Sequence, residues 1–238
     1  LRRVLTHELS IIVPVYQDDA ALNRLLPALS DSGVDIVIAY AGDRPVLSDA
    51  AGTPRLVACA RPSRGEQLAA GAEAARGGWL WFLHADTQLP GNALAQLESL
   101  HGPGWGRFNV RIDAPGRSLR LVSAMMNLRS RITGICTGDQ GIVVHRDLLS
   151  QIGGFPPQAL MEDIELSKRL RRLTSPQVLA GPLRTSARRW QRRGIWRTVF
   201  AMWQFRLKYY LGTPAEVLAQ RYYGNPAAAP RSAEQLPR

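Results

Sequence analysis

Cysteine, acid and long apolar runs are all scarce in this sequence, and each scarcity removes a class of protein. Only Cys59 and Cys136 occur among 238 residues. They are too few to staple a secreted scaffold and too far apart for zinc-ligand spacing, so they point to a reducing compartment and to small buried side chains. No run approaches the roughly 20 apolar residues that cross a bilayer. Leu9-Ser10-Ile11-Ile12-Val13-Pro14-Val15 follows the basic Leu1-Arg2-Arg3-Val4, but it is short, holds a proline and lacks a small-residue cleavage site; a strand is expected there, not a secretion signal. The chain does not open on Met, so its natural start is expected upstream. A Walker loop, a dinucleotide glycine fingerprint, a Gly-x-Ser-x-Gly elbow, a suggestive Cys/His pair and an internal repeat are all missing.

Acid is outnumbered, with 19 Asp and Glu against 30 Lys and Arg for a net charge of +11. Many of the basic residues fall between 184 and 208. An anionic partner follows, and nucleic acid, a nucleotide diphosphate, an anionic membrane surface and a solvated face that binds nothing are each compatible with it. The 45% hydrophobic and 21% charged content suits one globular domain with a full core.

The periodicities alternate. Strand patterns at 9–15, 35–41, 56–60 and 79–83 are interleaved with helical patterns at 20–30, where Leu22, Leu25, Leu26 and Leu29 share a face behind an N-cap at Asp18 or Asp19, and at 67–76. That rhythm belongs to a mostly parallel sheet with right-handed crossovers. Further on come a short helix at 93–100, a half-exposed strand at 107–112, a helix at 118–132 with Leu121, Met125 and Leu128 in phase, a strand at 142–145, and a helix opening near Met161. Residues 195–211 form a basic amphipathic helix whose apolar face, with Trp196, Val199, Phe200, Trp203, Leu207, Tyr210 and Leu211, either packs on its own domain or lies on a membrane. The Ala- and Pro-rich tail 225–238 is expected to be disordered.

The centre of the pattern is Trp79-Leu80-Trp81-Phe82-Leu83-His84-Ala85-Asp86-Thr87-Gln88. Its apolar run reads as a strand buried on both faces, which brings His84, Ala85 and Asp86 to the carboxyl end, where parallel sheets open onto ligands. Asp86 either caps the following turn or, with His84 and Gln88, faces an oxygen-loving cation. Glu162 and Asp163 open a helix; the helix dipole alone accounts for one of them, and the other is free to act as a general base. Arg61, Arg64 and Gln67 border a Gly-containing helix start suited to phosphate oxygens, and Arg188-Arg189-Trp190-Gln191-Arg192-Arg193 is either a diphosphate site or a solvated turn.

In order, Ile11-Ile12-Val13-Pro14-Val15-Tyr16, Arg64-Gly65-Glu66-Gln67, Phe82-Leu83-His84-Ala85-Asp86-Thr87, Gly138-Asp139-Gln140-Gly141, Gly153-Gly154-Phe155 and Met161-Glu162-Asp163-Ile164-Glu165-Leu166 resemble family-two glycosyltransferases. The match is nearest to a bacterial branch named radical-SAM/selenodomain-associated transferase type two. The resemblance implies a GT-A fold: an α/β architecture with a mostly parallel central sheet flanked by helices and a C-terminal amphipathic helical extension. It implies one domain over 1–224, with a nucleotide-sugar half at 9–100, an acceptor half at 101–183 and a basic extension at 184–224.

The same resemblance implies site residues. Pro14, Tyr16, Arg64, Gln67, His84, Ala85 and Asp86 would line the nucleotide sugar, and Asp86 and Gln88 would ligate Mn2+ or Mg2+. Asp163, with Glu162 second, would be the base, while Asp139, Gln140, Arg188, Arg189 and Trp190 would meet the acceptor or diphosphate. The sequence departs from the family where His84 replaces the first acid of the Asp-x-Asp signature and where Ile38-Ala39-Tyr40-Ala41-Gly42-Asp43 lacks an acid for the nucleobase. The expected activity is inverting transfer of a sugar from a nucleotide-diphosphate donor to an unknown acceptor hydroxyl. The alternative is a sugar-nucleotide or anionic-glycan binding protein without turnover. With no nucleic-acid recognition motif, nucleic acid is not an expected partner. The expected place is the cytoplasm, with peripheral contact at the inner face of the membrane through 195–211.

Overall fold

The computed structural model describes residues 8–49 and 53–223. The basic opening 1–4 and the Ala- and Pro-rich tail lie outside them. The chain runs β1 (Leu9–Tyr16), α1 (Asp19–Leu25), β2 (Asp35–Ala41), β3 (Arg55–Cys59), α2 (Arg64–Ala74), β4 (Trp79–Phe82), α3 (Ala93–Leu97), β5 (Trp105–Asp113), α4 (Arg117–Thr133), β6 (Val143–His145), α5 (Arg146–Gln151), α6 (Glu162–Arg171), β7 (Gln177–Ser186), α7 (Arg188–Arg193), α8 (Ile195–Tyr210) and α9 (Ala215–Tyr223). The strands form one seven-stranded sheet in the order β3-β2-β1-β4-β6-β5-β7. β1 to β4 are mutually parallel, β6 runs antiparallel to β4 and β5, and β5 is parallel to β7.

Both sheet faces are covered, which is why the central strands read as unbroken apolar runs. Ile11, Val13, Val15, Trp79 and Trp81 point into one core layer with Leu22, Leu26 and Leu97. Ile12, Leu80 and Phe82 point into the other, beneath Leu68, Leu148, Leu166 and Leu170. Leu22, Leu25, Leu26 and Leu29 are all buried, although the α-helix ends at Leu25 and the chain passes into 3-10 turns, and Asp18 caps α1 by accepting from Ala21 N–H at 3.2 Å.

β7 is absent from the sequence reading because Gly181-Pro182 interrupts it. The strand tolerates them at the sheet edge, where pairing slips between Phe108 and Asn109 and Ala180-Gly181 bulge out; Gln96 accepts from Gly181 N–H at 2.7 Å. α8 and α9 pack on the rest of the chain. Leu218 and Ala219 of α9 pack with Phe205 and Tyr209 of α8 against Ile135, Met161 and Ile164.

Two helices turn apolar residues outward. On α8, Trp196, Phe200, Trp203, Leu207 and Tyr210 face solvent while Val199 is half-buried against Ile112 and Leu119, and the buried side carries Thr198 with half-buried Met202, Phe205 and Tyr209. In α4 the buried residues are Leu119, Val122, Ser123 and Ser130, while Leu121, Met125 and Leu128 face solvent.

Candidate functional site

Parallel strands end together, so the loops after β1, β2, β3 and β4 share one rim. After β3, α2 begins at Arg64, three residues earlier than its periodicity predicts, and Arg64 therefore stands in the first turn. Gly65 lets the 156–158 loop pack against that turn, where any Cβ would overlap the carbonyl oxygen of Gln158. Arg61 pairs on the surface with Glu66 at 2.7 Å, whereas Arg64 turns inward to Glu162 at 3.5 Å. Burial works against the Arg64 charge, but Glu162, Tyr223, Asp139 and Asp163 outweigh it and raise the guanidinium above its ordinary value. Burial pushes the Glu162 carboxyl up, with Arg64 opposing and Asp163 adding to the rise.

Asp163 is held differently. Its Oδ2 accepts from Gly138 N–H at 2.9 Å and its Oδ1 from Ile164 N–H at 2.8 Å. The residue before the pair, Met161, takes φ 62°, a left-handed conformation costly for a side chain of its kind and characteristic of functional sites. His84 leaves the end of β4 and meets the same loop: a Cβ on Gly138 would lie 2.4 Å from His84 Nε2. His84 Nδ1 lies 3.3 Å from Asp139 Oδ1, which also accepts from Thr185 at 3.1 Å, while the buried His84 Nε2 has no hydrogen-bond partner among the described residues. His84, Phe155, Glu162 and Asp163 line one small pocket.

Asp86 belongs to a second cavity of about 220 Å3, lined in part by Arg24, Ala85, Gln88, Asp113 and Arg188. Arg188 Nη2 lies 2.9 Å from Asp18 and 3.8 Å from Asp86. The hydrogen bond to Asp18 is the larger support for the Arg188 charge. Gln88 exchanges backbone hydrogen bonds with Arg184 of β7 and donates its amide N–H to Asp113 at 3.2 Å. Pro14 is half-buried and Tyr16 exposed, and the Tyr16 ring lies beside Gly42, at the end of β2.

Two expected ligand residues, Gln67 and Gln140, turn into the core. Gln67 is buried and donates to the carbonyls of Val15 and Ala39 at 2.7 and 2.8 Å, so it joins α2 to β1 and β2 and does not reach the rim. Gln140 is fully buried: its carbonyl accepts from Thr137 N–H at 3.1 Å and its amide donates to Ser130 at 2.9 Å, shaping the 138–140 turn. Trp190 is half-buried against Ile112 and Leu119. Arg189 lies in α7, with its side chain outside the described set. Asp18, Asp113 and Thr185 also face the site, though sequence motifs do not mark them for it: Asp18 carries only a cap signal, and Thr185 lies in β7.

Protein-family profiles and curated protein sequences yield no match to this chain. Its fold is the GT-A fold of solved glycosyltransferases. It is similar to the mannosyltransferase PcManGT from Pyrobaculum calidifontis in complex with GDP-Man and Mn2+, with TM-score 0.59 and 18% identity over 93% of this chain and 72% of that one. It is also similar to S. aureus TarS 1-349, with TM-score 0.55 and 16% identity over 76% of this chain. Glucosyl-3-phosphoglycerate synthase from Mycobacterium tuberculosis in complex with UDP gives TM-score 0.51 and 20% identity, over 72% and 70% of the two chains. The chain spans only 60% of the TarS fragment.

Proposed function

We propose that this protein is an inverting glycosyltransferase that moves a sugar from a nucleotide-diphosphate donor to an acceptor hydroxyl. The observation that carries the reading is one rim on which a backbone-held carboxylate, Asp163, stands beside Arg64 and the end of β4, with Asp86 in the loop after β4 approached by Arg188 of α7 at 3.8 Å. The acceptor oxygen attacks the anomeric carbon opposite the leaving group as its proton passes to Asp163. The bond from that carbon to the diphosphate breaks with its electron pair on the leaving oxygen. Arg64 and Arg188 offset the developing charge, and Glu162, buried against Arg64, is assigned to holding that arginine and not to proton transfer.

The donor set bears on the cation. Among the described residues no three His, Cys, Asp or Glu side chains form a metal cage. Mg2+ and Mn2+ sites built on one carboxylate, substrate phosphates and water need none, and Asp86 in its cavity fits that arrangement, with the Gln88 carbonyl as a second oxygen. A bound ion would neutralise the leaving diphosphate.

One domain over 1–224 with its nucleotide-sugar half at 9–100, acceptor half at 101–183 and basic extension at 184–224, the selenodomain-associated branch, and a cytoplasmic site with membrane contact through 195–211 complete this reading. A sugar-nucleotide binder without turnover is the second reading, favoured by His84, which pairs with Asp139 where the family's first metal-binding acid would stand. Calorimetric titration with a panel of nucleotide sugars, in Mn2+, Mg2+ and EDTA, tests both. Metal-dependent binding of one donor, lost in Asp86→Ala, is expected, with hydrolysis or transfer of the bound sugar. Binding without release of nucleotide under any acceptor would favour the second reading, and no binding at all would end both.

A further inference from the structure

We infer that α4 and α8 together form a docking platform for an anionic lipid bilayer, a surface wider than the 195–211 contact and argued without reference to sugar transfer. On α8, Trp196, Phe200, Trp203, Leu207 and Tyr210, with Leu211 just after it, are between 56% and 76% exposed. On α4, Leu121, Met125, Leu128 and Ile132 recur at three-to-four spacing and are between 49% and 75% exposed. Single exposed apolar residues are ordinary, but two helices each turning a full stripe to solvent are not. The stripes belong to neighbours. Leu119, Val122 and Met126 of α4 share one apolar cluster with Ile195 and Val199 of α8.

Charge selects the occupant. Neither α4 nor the segment from Arg188 to Leu211 contains an Asp or Glu, and Arg117, Arg120, Arg131, Arg192, Arg197 and Lys208 are exposed on them. A second copy pairing through this face by a two-fold axis would set cations against cations. An anionic bilayer instead meets apolar stripes with acyl chains and basic rims with headgroups, the arrangement of an interfacial helix. Trp196, Trp203 and Tyr210 have the amphipathic rings that favour that depth. No helix among the described residues is long and apolar enough to cross a membrane, so the platform lies on the surface.

The test is co-sedimentation of the full chain with large vesicles of equal parts phosphatidylglycerol and phosphatidylcholine, and of phosphatidylcholine alone, at low and high salt. Light scattering gives the oligomeric state. Binding to the anionic vesicles is expected, weakened by salt and at least about tenfold weaker on neutral vesicles. Trp203→Glu and, separately, Leu128→Glu are each expected to reduce it by about tenfold or more. Both side chains are exposed, so an unchanged melting temperature checks that each variant folds. Failure of the wild type to bind anionic vesicles would overturn the platform. So would a dimer that Trp203→Glu dissociates without any vesicle binding. An effect of Trp203→Glu with none from Leu128→Glu would remove α4 from it. None of these outcomes depends on donor binding, so the platform and the transferase reading fail independently.

Discussion

Asp163 and Gln67 carry the residue-scale contrast between the proposed base and a supporting group. Asp163 presents its carboxylate at the rim on two backbone N–H donors. Asp163→Asn keeps an oxygen for Gly138 N–H but cannot take a proton, so kcat is expected to fall by about 10²–10⁴ with the donor Kd little changed. Steady-state kinetics beside calorimetry separates the two quantities. Gln67 instead lies in the core, where its amide serves two strand carbonyls. Gln67→Leu fills the space but strands Val15 and Ala39 oxygens, so a loss of about 1–3 kcal/mol in stability is expected from chemical denaturation, with donor affinity retained. A sharp loss of donor affinity at full stability would instead return Gln67 to the ligand. Sequence motifs placed both residues near the site; only burial separated them.

At the scale of elements, α6 joins the site to the outward-facing helix. Its first turn holds the acid pair, and one turn on, Glu165 accepts from Tyr209 of α8 at 2.8 Å and pairs with Arg169 and Lys168. Burial works against the Glu165 charge, but Arg169, Tyr209 and Lys168 prevail and hold it at about 2, below its ordinary 4.5. The same contact, together with burial, pushes the Tyr209 hydroxyl up to about 12. A carboxylate with a lowered folded-state pKa stabilises the fold fully above its unfolded value and loses that contribution as pH falls towards the folded value. Melting temperature is therefore expected to drop between about pH 4.5 and pH 2, and Glu165→Gln to flatten that slope, with its cost showing near neutrality. Asp35, lowered at the opposite end of the sheet by Ser10 and Arg55 against the effect of its burial, responds in the same sense, so the difference between wild type and variant is the measure. The α6–α8 link was invisible in the sequence because residues 165 and 209 are joined only by folding.

Over the whole molecule, the excess of positive charge has a place. Arginines divide between the rim, where Arg64 and Arg188 face carboxylates, and the helices beyond it, where exposed cations border apolar stripes without an acid on the same helix. The two uses proposed for them take different ligands, a diphosphate in the first and a headgroup layer in the second. The vesicle and donor titrations separate them at this scale. The first half of the fold was legible because each buried parallel strand must be apolar throughout and each crossover helix must repeat near 3.6 residues. The edge strand β7 was not, because its bulge and Gly181-Pro182 break the alternation that identifies a half-exposed strand.

By itself the sequence determined the alternating α/β core, the position of His84 and Asp86 at the end of β4 and the acids at the head of α6, since these follow from local periodicity and from motif order along the chain. Tertiary structure alone decided which polar groups reach the rim. It turned Gln67 and Gln140 inward, joined Asp139 to His84 and Thr185, brought Asp18 to Arg188, and turned the stripes of α4 and α8 outward. The physical reason is that periodicity gives a helix an apolar face but does not say whether core or solvent lies against it. That depends on which residues from distant parts of the chain occupy the space first.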